Sequence, residues 1–69
     1  MTGPVDLYTL DGAFVRACPL GVCQARETVK ILHPGIGGTR LSADGSRVEL
    51  WFNRSKVYSY EVRPAGQIR

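Results

Sequence analysis

The chain predicts a single small all-β domain, an antiparallel barrel or strongly curved sheet of five to six short strands in the SH3-like or OB-like manner. Three observations predict it. Apolar and polar residues alternate over short runs such as "VDLYTL", "SRVELWF" and "KVYSYEV", and no window sustains the 3.6-residue apolar period of a helix. The runs are separated by Gly, Pro, Asn and Asp, with Asp-Gly at 11–12 and again at 44–45, the strongest short-range hairpin signal. Finally, 69 residues with a hydrophobic fraction of 43% make one domain, residues 1–69, near the lower length at which one core folds alone.

Taken in order, Val5–Leu10 and Ala13–Cys18 form two strands joined at Asp11-Gly12. "PLGV", residues 19–22, follows as a second tight loop, which sets Cys18 and Cys23 face to face across it. Such a pair fits a disulfide geometrically. A reducing compartment and a short closed loop favour two free, packing thiols instead. The segment "ETVKIL", Glu27–Leu32, is assigned to a strand because Thr28, Val29 and Ile31 are β-branched and the run is too short for a stable isolated helix. Thr39–Ala43 and Ser46–Phe52 form a hairpin about Asp44-Gly45, with Leu41 opposite Val48 and Arg40 opposite Glu49.

The last hairpin is set by its hydrophobic pattern. A three-residue loop with Ser55 in the left-handed position pairs Leu50 with Tyr58 and Val48 with Tyr60, so that Val48, Leu50, Phe52, Tyr58, Tyr60 and Val62 share one face. Trp51 then lies on the other face beside Val57, among Glu49, Ser59 and Glu61. There it is either covered by a curling sheet or a second copy, or it is a partly exposed anchor of the kind that dominates protein interfaces or stacks on a base. Residues 63–69, "RPAGQIR", trail off the sheet as a tail.

The stretch "VELWFNRSKVYSYEV" followed by Pro64 resembles the central hairpin of the KTSC domain, a small β-rich domain of bacterial and phage proteins that is also appended to some lysyl-tRNA synthetases. Shared are the alternating apolar residues, a Phe before the turn, and Val-Tyr-x-Tyr after it. The resemblance covers the last quarter of the chain, and Ser55 stands where that family usually has Gly. It implies a hairpin and no catalytic residue.

Chemistry is sparse. Cys18 or Cys23 with His33, oriented by Asp6 or Asp11, are the residues that nucleophilic catalysis would need, but no spacing motif joins them. Two cysteines and one histidine fall one short of a structural zinc set. The chain is therefore expected to be no enzyme and to carry no metal or cofactor. "HPGIGGTR" can offer a backbone nest to an anion, bounded by His33 and Arg40. It lacks both the P-loop and the dinucleotide fingerprints.

Nine Lys and Arg against six Asp and Glu give a net charge of +3, dispersed along the chain rather than gathered into a track. No apolar run approaches the ~20 residues of a membrane helix. No signal-peptide pattern follows the first Met, which makes a cytoplasmic location, with no membrane partner, the expectation.

The leading expectation is a small binding protein docking on a macromolecule, an adaptor or inhibitor of the kind phages and mobile elements encode, with Trp51, Val57, Asn53, Arg54 and Lys56 as its contact patch. A protein partner is preferred over nucleic acid because Glu49 and Glu61 flank that patch. The alternative is a nucleic-acid or nucleotide binder using His33, Gly35, Gly37, Gly38, Arg40, Lys30 and Arg26. A homo-oligomer that buries Trp51 is the third.

Overall fold

The computed structural model describes residues 3–66. Its elements are β1 (Val5–Thr9), β2 (Phe14–Cys18), α1 (Val22–Leu32), β3 (Gly38–Leu41), β4 (Arg47–Phe52) and β5 (Ser55–Pro64). The five strands form one antiparallel sheet in the order β2-β1-β5-β4-β3, not closed into a barrel, so the predicted small β domain of five to six strands holds as a sheet, with one short helix added to it.

The sequence assignment fails at residues 19–32. "PLGV" is not a hairpin loop and "ETVKIL" is not a strand; β2 turns at Gly21 directly into α1, which packs on β1, β2 and β4. Packing decides it, because Ala25, Thr28 and Val29 are buried against the sheet and Val22 packs at the edge of the same cluster. Tertiary burial outweighs the weak helix propensity of Thr28, Val29 and Ile31. Gly21 has φ 94°, and a Cβ there would meet the Gly3 carbonyl oxygen at 3.1 Å, so both backbone conformation and space demand glycine. Gly21 supplies no side-chain cap, and Gln24 instead reaches back to accept the Leu20 amide at 2.9 Å. As a result Cys18 ends β2, Cys23 sits in the first helical turn, and both are free thiols.

The core lies between α1 and one face of the sheet: Val5, Leu7, Cys18, Val48, Leu50 and Val62 from the strands, Ala25 and Val29 from the helix. Burial pushes the Cys18 thiol pKa up. The other face is polar and partly covers itself. Phe14 packs edge-on against Tyr8 with ring centroids 5.7 Å apart, and the Arg63 guanidinium lies 4.3 Å over the Tyr8 ring while pairing with Glu61 at 3.3 Å.

Both Asp-Gly junctions are hairpin turns, and β3 pairs with β4 in the predicted register, Leu41 with Val48 and Arg40 with Glu49. In the last hairpin the predicted pairs Leu50–Tyr58 and Val48–Tyr60 are present, but the turn is different. Phe52 pairs with Ser55, and the two residues between them, Asn53 (φ 49°) and Arg54 (φ 67°), carry the positive φ values assigned in the sequence to Ser55. Two positive-φ residues make the tight turn that matches strand twist. A bulge between Leu50 and Trp51 then restores the register set by the hydrophobic face, so Trp51 opposes Lys56 rather than lying beside Val57.

The C-terminal tail is also shorter than predicted. Arg63 and Pro64 still belong to β5, paired with Asp6 and Val5, and residues 67–69 of that expectation lie outside the described residues.

Candidate functional site

Two connections meet at one end of the sheet: the segment leaving α1 and the β4–β5 turn. Two concavities open there, one on the helix side and one on the polar face.

The helix-side groove, about 430 Å³, lies between the C-terminal end of α1 and the β4–β5 hairpin. Leu32, Phe52, Val57 and Tyr58 line it at 46–50% exposure. Phe52 and Tyr58 belong to the face that buries Val48 and Leu50, yet both stay about half exposed at the hairpin end of that face. His33, the residue after α1, is the hinge of this wall. Its ring stacks on Tyr58 (centroids 4.0 Å apart, 24° between planes), and its Nε2 lies 2.5 Å from the Tyr60 hydroxyl. Burial, followed by the neighbouring Tyr58, raises the Tyr60 pKa.

The pocket on the polar face, about 350 Å³, is lined by Gly37, Gly38, Thr39, Arg40, Trp51, Asn53 and Arg54. Its geometry follows from cross-strand pairing. Gly38 is the partner of Trp51 and offers no side chain, so the diagonal residue Arg40 lies over the indole, its guanidinium carbon 4.5 Å from the ring centroid. Gly37 donates its amide to the Trp51 carbonyl at 3.0 Å, and a Cβ on Gly37 would press that oxygen at 3.2 Å. The Trp51 Nε1–H is buried with no acceptor. Glu49, opposite Arg40, is held by Lys56 at 3.3 Å.

The structure redistributes the residues singled out in the sequence. Trp51, Asn53 and Arg54 of the predicted contact patch join Gly37, Gly38 and Arg40 of the predicted anion loop in one pocket. Val57 goes to the groove with His33 and Gly35, and Lys56 to its ion pair with Glu49. The continuous nest does not form: Gly35 has φ 89°, Gly37 and Gly38 do not take positive φ, and Gly38 already belongs to β3. Lys30 pairs with Glu27 at 3.3 Å on the outer helix surface, and Arg26 donates two hydrogen bonds of 3.2 Å to Thr39 Oγ1. Cys23 and His33 are ten residues apart on and just past one helix, about 15 Å along its axis. Among the described residues no three His, Cys, Asp or Glu side chains gather as a ligand set, and no helix is long and apolar enough to cross a membrane.

Sequence reasoning missed the groove because Phe52 and Tyr58 were assigned to the core with their neighbours. Their place at the last pair before the turn and beside the bulge was the available signal. No protein-family model, curated protein or solved structure matches this chain.

Proposed function

We propose that this chain is a non-enzymatic, cytoplasmic binding protein that docks a protein partner through the hairpin end of its sheet. The observation carrying this reading is the groove: Leu32, Phe52, Val57 and Tyr58 converge on it while each remains about half exposed. Small monomeric domains keep few such contiguous apolar patches, and those that persist mark interaction sites. Half-exposed aromatics on a rigid hairpin suit the anchor role, since they bury much area at low entropic cost.

The test is a photo-crosslinking amino acid placed at Val57, with the same group at Ala43 at the far end of β4 as control. A discrete adduct with another protein from position 57 and none from position 43 supports the reading. Equal labelling from both positions, or adducts only between copies of this chain, removes it. In a competent complex, Phe52→Ala and Tyr58→Ala each weaken binding by tenfold or more.

A nucleic-acid reading rests on one observation, the Arg40–Trp51 pair beside Arg54. It requires log affinity to fall with log salt at about −0.7 to −0.9 per phosphate contact. A flat salt response excludes it.

A further inference from the structure

We infer that the Arg40–Trp51–Arg54 pocket receives a carboxylate of the docked partner, so that the segment recognised at this end of the sheet is an acidic peptide. The inference rests on the protein-docking reading and assigns that partner its chemistry.

Two arginines, Arg40 from β3 and Arg54 from the β4–β5 turn, line a single concavity with no acidic residue in its lining. Among the described residues the ion pairs are Lys30–Glu27, Lys56–Glu49 and Arg63–Glu61, so neither Arg40 nor Arg54 has a carboxylate within 4.0 Å. The acid placed to neutralise Arg40 across the strands is Glu49, and Lys56 already holds it. The indole covers one face of the Arg40 guanidinium and leaves its N–H edge for an acceptor, the fork geometry that suits a carboxylate. Arg54 is the second residue of a two-residue turn in which both Asn53 and Arg54 have positive φ, which fixes where its side chain starts. Asn53 adds a neutral amide beside it. Such a site is preorganised for an anion and left without one by its own fold.

The surroundings select a peptide over a phosphodiester. On the other side of the turn lies the apolar groove, which accommodates an aliphatic or aromatic side chain and has no use for phosphate.

The experiment uses the full chain, ¹⁵N-labelled, titrated with the blocked pentapeptide Glu-Leu-Glu-Phe-Glu, its Gln-Leu-Gln-Phe-Gln counterpart, and an oligothymidylate. The expected result is saturable shifts of the Gly37, Gly38, Asn53 and Arg54 amides and the Trp51 indole N–H with the Glu peptide. Binding weakens tenfold or more in Arg40→Gln and in Arg54→Gly, and is retained in Arg47→Gln, each variant keeping the native amide dispersion. Arg54→Gly suits its positive φ, so a loss there reports the side chain and not the turn. Equal binding of the Glu and Gln peptides, or Arg variants that bind like the parent, overturns the carboxylate site while crosslinking from Val57 still stands. Shifts produced at these amides by oligothymidylate but not by the Glu peptide overturn it in favour of nucleic acid.

Discussion

Strand β4 turns at both ends, into β3 through Ser42–Ser46 and into β5 through Asn53 and Arg54, and the two turns dispose of their polar groups in opposite ways. In the first, Asp44 accepts hydrogen bonds from the Ser42 and Ser46 hydroxyls at 2.8 and 2.7 Å and from the Ser46 amide at 3.0 Å. Ser42 Oγ in turn accepts the Arg47 amide at 3.1 Å. That turn closes on itself and offers little to a partner. The second shows no such network: Asn53 and Arg54 line the polar-face pocket, while the strand residues flanking them, Phe52 and Val57, line the groove. The lesson is that one strand can carry a structural end and a binding end, separated by two buried residues, Val48 and Leu50.

The comparison can be broken most forcefully inside β4. Leu50→Ala, in the core, is expected to lower stability by about 2–5 kcal/mol, while Phe52→Ala, next on the same face but half exposed, lowers it by less than ~1 kcal/mol. Urea unfolding of the two variants measures the contrast. Similar losses for both would mean that the hairpin end belongs to the core.

The turns differ in backbone fit as well. Gly45 holds φ 75°, so Gly45→Ala is expected to destabilise by about 1 kcal/mol. Arg54 holds φ 67° without being glycine, and Arg54→Gly is expected to stabilise by up to about 1 kcal/mol. A stabilised Arg54→Gly protein that has lost its partner would show that Arg54 is kept for binding against the preference of the fold.

The smallest effect is on pH dependence. Its three donors, the Ser46 hydroxyl foremost, hold the Asp44 carboxyl well below the usual carboxylate range, and the Thr9 hydroxyl lowers Asp11 in the β1–β2 turn. A group depressed on folding contributes fully above its unfolded value, about 4, and loses that contribution as pH falls toward the folded value. The stability difference between the parent and Asp44→Ala is therefore expected to shrink as pH drops from 5 to 2. A difference that stays constant over that range would place the role of Asp44 in something other than its charge.

Strand positions and register were legible because alternation and Asp-Gly carry them: Leu41 against Val48 and Leu50 against Tyr58 fall where the pattern puts them. The helix was obscured for physical reasons. Its cap is a glycine without a side-chain oxygen, and its β-branched residues favour strands. The spacing of Val22, Ala25, Val29 and Leu32 does carry a helical signal, but only when the window opens at Val22 rather than at Glu27. The site was half legible. Trp51, Arg40, Asn53 and Arg54 stood out as residue types, but their meeting depends on Gly38 leaving Trp51 uncovered and on a bulge moving Val57 away, neither of which has a periodic signature.

The strand order has a consequence for how the molecule comes into being. The β1–β2 and β3–β4 hairpins are each local in the chain, yet within the sheet they are joined only through β5, the last of the six elements to leave the ribosome. Until β5 arrives, β1 presents a bare edge and α1 spans two ribbons with no seam between them. The sheet is thus completed by β5, and the turn that delivers that strand is the one whose tip stays outside the finished sheet.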